Sequence, residues 1–313
     1  MITKQLLKDK GDTMEFNVEI NHLSKTIGKK KIIKDLSLNI KKGEVFGLLG
    51  PNGAGKTTTI RMIVGLIDIT AGSVKICGHD VQTNHKEALE NVGAIVENPE
   101  MYPFLSGLEN LKYFSRMHQD ISPEKINEVI EFVNLKSRIN DKVKTYSLGM
   151  RQRLGIAQSL LNTPKVLILD EPTNGLDPAG IKELRQYIQK LAHEKGVTVI
   201  VSSHILSEIE LMCDRVAIIK EGELIAIENL KEKTDHRNYQ LKVTPIDKAQ
   251  ELLAKEYQLT SQVRDELLEF QLAASNVEIP NIINLFVENN IAIYSIESKE
   301  NTLEDKFMNL TLK

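Results

Sequence analysis

Cysteine is scarce: Cys77 and Cys213 are the only two in 313 residues. Two thiols without metal-ligand spacing exclude a disulfide framework and a cysteine-based metal centre, and a reducing cytosol is the simple reading. No uncharged apolar run approaches the roughly 20 residues that a bilayer-spanning helix needs, so work at a membrane must go through a partner. Residues 1–13 lack an apolar h-region, which excludes a secretory signal there. They read as a loose extension, or translation starts at Met14. Nor does one sign of charge prevail. With 40 Lys and Arg against 43 Asp and Glu, the formal net charge is −3. Short basic runs such as Lys29–Lys31 sit in a mixture of both signs, so nucleic acid is not expected as a partner. What is present is ordinary globular usage, 41% hydrophobic and 27% charged, in a length that suits one large domain with a small appendage.

Apolar periodicity organises the rest of the chain. Phe16, Val18 and Ile20 alternate with polar residues, as do Leu36, Leu38 and Ile40, the pattern of half-buried antiparallel strands. The turn Lys42-Gly43-Glu44 leads into the continuous apolar run Val45–Leu49, which predicts a buried strand. After Gly55 the spacing becomes helical, with Ile60, Ile63, Val64 and Ile67 on one face. Residues 104–163 read as mostly helical, with Leu111, Phe114, Ile126, Val129, Ile130 and Phe132 at helical intervals. Val166–Asp170 and Val197–Ser202 are buried strands around an amphipathic helix at Ile181–Leu191, which is βαβ logic and predicts a parallel sheet. Val216–Ile219 and Leu224–Ile227 flank Lys220-Glu221-Gly222-Glu223, a hairpin. The polar segment Lys231–Arg237 marks a boundary. Beyond it, strands near Tyr239–Val243, Leu268–Leu272 and Ile291–Ile296 alternate with helices at Leu252-Leu253 and Ile279–Glu288. A last helix starts near Asn301, with Asn301 and Glu304 as a capping box. The tail is therefore a small α+β domain.

Gly50-Pro51-Asn52-Gly53-Ala54-Gly55-Lys56-Thr57 fits G-x-x-x-x-G-K-[ST] at every fixed position, with Thr58 next to it. The glycines let backbone N–H groups turn inward around phosphates, and the helix N-terminus adds partial positive charge. Lys56 then reaches the β/γ-phosphates and Thr57 ligates Mg²⁺. Val166–Glu171 is an apolar strand ending in two acids, which places Asp170 at the carboxyl edge of the sheet to hold Mg²⁺ and Glu171 to polarise the attacking water. Alone, such an acid pair is a solvated strand end; the phosphate loop makes it a site.

With these motifs placed, Tyr146-Ser147-Leu148-Gly149-Met150-Arg151-Gln152-Arg153 resembles the signature of ABC-type ATPases. In this variant Leu148 and Met150 stand where the commonest form has Gly and Gln. The resemblance covers about residues 14–230 and implies an α/β P-loop NTPase fold: an ABC nucleotide-binding domain with an antiparallel β-subdomain and a helical insertion at about 98–163. Residues 231–313 follow as the small α+β domain. By the same resemblance, Ser147 to Met150 cap a helix beginning near Arg151 and contact the ATP of a second subunit. Asp177, in Asn174-Gly175-Leu176-Asp177-Pro178, belongs to the D-loop, and His204 senses the γ-phosphate. Ile27 stands where the family stacks an aromatic ring on adenine. Glu97, in the loop that couples the core to the helical subdomain and reaches Mg²⁺, replaces the usual Gln. That substitution, Tyr102-Pro103 and the Ser-Leu-Gly-Met signature resemble the bacitracin-resistance and lantibiotic-immunity ATPases. The resemblance implies ATP and Mg²⁺ as ligands, a dimer with itself or a homologous ATPase subunit, and a separate transmembrane permease. It further implies residence on the inner face of the cell membrane, and removal of a peptide antibiotic or similar amphiphile. A non-transport ABC enzyme of DNA repair or translation, and a regulatory ATP-binding module, are the alternatives.

Overall fold

The computed structural model describes residues 16–118, 121–231, 236–273 and 279–299. The expected extension over residues 1–13, Met14, residues 232–235 of the polar boundary segment and the capping box at Asn301 and Glu304 lie outside them. The chain divides into two units, one ending at Leu230 and one beginning at Lys231.

In the first unit, β1 (Phe16–Ile27) and β2 (Lys30–Lys41) form a long antiparallel pair. Their alternation turns Val18, Ile20, Leu23, Leu36, Leu38 and Ile40 onto the buried face. Gly43 turns the chain into β3 (Val45–Leu49), all five residues of which are buried. The glycine loop and α1 (Lys56–Ile63) follow. This helix is shorter than its apolar spacing suggests. Gly65 takes φ +67, and the bonds Leu66 N–H to Arg61 O (2.8 Å) and Gly65 N–H to Met62 O (3.2 Å) close a Schellman turn. Ile67 therefore lies beyond the helix, although it still packs on the core.

β4 (Ala71–Ile76) and β5 (His79–Asp80) complete an antiparallel sheet ordered β2-β1-β4-β5. A short α2 (His85–Leu89) leads to β6 (Val92–Ile95). The mostly helical stretch resolves into α3 (Gly107–Ser115), α4 (Pro123–Phe132) and α5 (Leu148–Ser159). Ser106 with Glu109 makes a capping box on α3, and Ser122 caps α4 with Pro123 in its first turn. Then come β7 (Val166–Leu169), α6 (Pro178–His193), β8 (Thr198–Ser203), α7 (Leu206–Met212), β9 (Arg215–Lys220) and β10 (Glu223–Asn229). The second sheet runs β10-β9-β3-β8-β7-β6, with β9, β3, β8, β7 and β6 parallel and only β10 antiparallel. The parallel pairing brings the carboxyl ends of β3, β7 and β8 to one edge. The β9–β10 turn meets the glycine loop, since Gly222 N–H donates to Ala54 O at 2.9 Å. Burial, with Asp214 adding to it, pushes the Cys213 thiol well up, so that it stays a neutral packing group.

The second unit runs β11 (His236–Thr244), α8 (Ile246–Tyr257), β12 (Ser261–Arg264), β13 (Leu267–Ala273), α9 (Ile279–Glu288) and β14 (Ala292–Lys299). This is a βαββαβ order with an antiparallel sheet β12-β13-β11-β14, the split βαβ arrangement. Leu241, Val243, Leu268, Phe270 and Leu272 meet Leu253, Ile282 and Phe286 in its core. Among the described residues of the chain, no helix is long and apolar enough to cross a membrane.

Candidate functional site

The loop from Gly50 to Gly55 joins the end of β3 to the start of α1. A Cβ at Gly50 would lie 2.2 Å from the Ile219 carbonyl oxygen, and Gly55 holds φ +110 as the helix N-cap, so both positions need glycine. Pro51, Asn52 and Gly53 are exposed, Ala54 is buried, and Thr57 and Thr58 are half-buried. Lys56 is only 5% exposed, and its Nζ donates to Gly50 O at 2.7 Å and Pro51 O at 3.3 Å. A cation so buried needs a counter-charge. Glu171 supplies it, with Oε1 at 3.2 Å from Nζ.

β7 delivers the two acids. The Asp170 N–H donates to Ile95 O at 2.9 Å, and its carboxylate is 2% exposed. Ser202, at the end of β8, serves both acids at once: its Oγ donates to Asp170 Oδ1 at 2.6 Å and accepts the Glu171 N–H at 2.8 Å. Glu171 itself sits at φ +47, a region where a residue with a side chain persists only under surrounding constraint. Its second oxygen meets His204 Nδ1 at 2.8 Å. Lys56, Glu171 and His204 thus form one continuous chain of polar contacts. Behind it, Glu208 Oε2 accepts from Thr173 Oγ1 at 2.5 Å and Ser203 Oγ at 3.3 Å, tying the segment after Glu171 to the segment before His204. No sequence motif assigns a role to Thr173, Ser202 or Glu208. Ser202 and Ser203 directly before His204 were the visible signal.

The signature segment lies elsewhere. α5 begins at Leu148, three residues earlier than the start expected near Arg151, because Ser147 Oγ accepts the Met150 N–H at 3.2 Å and caps it. Asp177 caps α6 in the same way, accepting from Gly180 N–H at 3.0 Å. Ser147, Leu148, Gly149, Gln152, Leu176 and Asp177 line part of a cleft of about 380 Å³, whose lining includes no residue of the glycine loop. Glu97, at φ +67, is ion-paired with Arg61 of α1. It lies two residues past Ile95, the acceptor of the Asp170 N–H. Ile27 ends β1 and is 56% exposed.

Next to Lys56 in sequence stands the Thr57 hydroxyl, and next to Glu171, its counter-charge, the Asp170 carboxylate, so the candidate ligands are hard oxygens. Among the described residues, no group of three His, Cys, Asp or Glu makes an all-protein metal cage. This set fits Mg²⁺, which is held by one or two carboxylates and completes its octahedron with phosphate and water.

Residues 33–174 match the ABC transporter family. The chain is 52% identical to the ABC transporter ATP-binding protein YhcH of Bacillus subtilis (strain 168), over 95% of this chain and 97% of that one. It is 41% identical to the bacitracin transport ATP-binding protein BcrA of Bacillus licheniformis, over 94% of this chain and 96% of that one. A solved ATP-binding cassette, a dimeric post-hydrolysis state bound to ADP and Pi, aligns with a TM-score of 0.61 at 28% identity, covering 68% of this chain and 99% of that one. Similarity of this extent, over a fold with this phosphate loop, means that the chain belongs to the ATP-binding subunits of ABC transporters, whose ABC domain binds and hydrolyses ATP.

Proposed function

We propose that residues 14–230 are an ATPase domain, with residues 98–163 as its helical subdomain, that works as a face-to-face dimer with a second copy or a homologous subunit. It drives a separate transmembrane permease from the inner face of the cell membrane. The contact chain Lys56–Glu171–His204 carries this reading. Lys56 is held by two carbonyls and one carboxylate, the partners that arriving β/γ-phosphates replace. Glu171, released from Lys56, orients and polarises the attacking water, and His204 registers the γ-phosphate while holding the Glu171 carboxylate. Mg²⁺ on Thr57 and Asp170, with Glu97 from the coupling loop, would neutralise charge on the phosphate oxygens. Ser147 and the amides of Leu148, Gly149 and Met150 stand at a helix start, where backbone donors favour an anion. They serve the ATP held by the other subunit, with Asp177 beside them.

The 41% identity to a bacitracin transport protein supports export or removal of a peptide antibiotic or similar amphiphile as the work done. The test is recovery of the chain from its native membranes in mild detergent, with peptide-antibiotic tolerance measured in the same strain. A polytopic membrane protein should accompany the chain, and Glu171→Gln should abolish the tolerance. A chain recovered alone, or a Glu171→Gln strain with full tolerance, would overturn the reading.

A further inference from the structure

α1 carries two cations, and each holds an acid from a neighbouring strand end. Lys56, its first residue, faces Glu171 of the β7 exit; Arg61, in its last turn, holds Glu97 of the β6 exit through Nη2 and Oε1. The surroundings of the two pairs differ. Lys56 and Glu171 are 5% and 17% exposed, Arg61 and Glu97 41% and 61%. Separating a buried pair strands charge in a low dielectric, whereas an exposed pair is held weakly and screened by salt. Glu97 can therefore leave its cation unaided, whereas Glu171 leaves Lys56 only as phosphate takes its place. The positive φ of Glu97 marks a loop held in a backbone state that a side chain disfavours. The backbone of Arg61, in contrast, is anchored: its carbonyl accepts the Leu66 N–H that closes α1. The loop must move, and the helix need not.

We infer that Arg61 is a positioning residue that parks the Glu97 carboxylate and competes with Mg²⁺ for it. The loop then docks at the nucleotide only when the metal attracts Glu97 more strongly than the guanidinium does. This inference rests on the reading of Glu97 as an acid of the metal site. An exposed pair of this kind shifts such an equilibrium by at most about fivefold.

The sequence has no tryptophan, so Glu100→Trp, at an exposed position in the loop, gives a single emitter. Mg²⁺ is titrated into this reporter protein loaded with a non-hydrolysable ATP analogue. Its half-saturating concentration is read with no further change, with Arg61→Gln, with Glu97→Gln and with both. Arg61→Gln should lower the midpoint about two- to fivefold, and Arg61→Lys should restore most of it. Glu97→Gln should raise it, and the double variant should match Glu97→Gln, because the arginine then has no carboxylate to hold. If Glu97→Gln moves the midpoint but Arg61→Gln does not, or if the Arg61→Gln shift persists in the double variant, the role of Arg61 is overturned alone. If Glu97→Gln leaves the midpoint unchanged, the metal-site reading of Glu97 fails and the inference with it. A merely structural arginine would lower the melting temperature without moving the midpoint.

Discussion

Around the phosphate loop, side chains from α1, the β7 exit and the β8 exit hold one another within a single chain: Lys56 to Glu171 at 3.2 Å and Glu171 to His204 at 2.8 Å. At the signature the opposite holds. Among the described residues, the Ser147 and Asp177 side chains bond only to their own helix starts, and the amides around Gly149 border a cleft. Buried charges require partners, so the first region is organised before nucleotide arrives. A helix N-terminus asks for an anion, and the cap of α5 is the uncharged Ser147 hydroxyl. One half of the proposed site is thus internally paired in the lone chain, whereas the other presents helix-start donors of the kind an incoming anion would meet.

The comparison is broken most severely at Lys56. Lys56→Ala removes the cation that neutralises Glu171 and that, on the proposed reading, cradles phosphate, so phosphate release should fall by about 10²–10³-fold, with nucleotide binding weakened as well. Gly149→Asp attacks the other half by placing an acid where an incoming phosphate would sit. Hydrolysis should drop about a hundredfold while nucleotide affinity of the dilute, single chain stays unchanged in a fluorescent-analogue titration. Weakened binding by the lone chain would show that the two halves are not separate. Ser202→Ala is milder. It removes a hydroxyl bound to Asp170 and the Glu171 amide, and since a bond to a charged group is worth about 1.5–3 kcal/mol, kcat should fall about tenfold with KM for ATP unmoved. The smallest effect concerns Ile27, which is proposed to lie against the base and has no π-face. The roughly 0.5–1.5 kcal/mol of ring stacking is missing, so GTP should compete within about tenfold of ATP. A hundredfold preference for ATP would mean that another residue reads the base.

Legibility in the sequence followed the range of the interactions. Val45–Leu49, the glycine loop and Val166–Glu171 are local patterns, and their strands and loop could be read without a fold. The end of α1 could not be read from apolar spacing, since Ile67 continues the period that Gly65 interrupts. β12 carries no alternating pattern, with Gln262, Val263 and Arg264 all exposed, so the βαββαβ order of the second unit emerged only from strand pairing. Among site residues, Lys56, Asp170 and Glu171 stand in motifs with their own chemistry, and His204 takes its role from the family resemblance. Ser202 and Arg61 have neither signal. Their contacts join residues 31 to 36 positions apart, and nothing in a local pattern encodes a bond between α1 and the β6 exit or between β8 and the β7 acids.

The central claim is that the complete site needs two chains with ATP between them. Glu171→Gln keeps the size and a hydrogen-bonding oxygen but removes the charge proposed to polarise water, so hydrolysis should stop while ATP binding survives. Light scattering on gel-filtered Glu171→Gln protein with ATP and Mg²⁺ measures the consequence directly. Twice the chain mass of 35.3 kDa is expected, falling to that of a monomer when ADP replaces ATP. A monomer under both conditions, or hydrolysis at the wild-type rate, would refute the two-chain site.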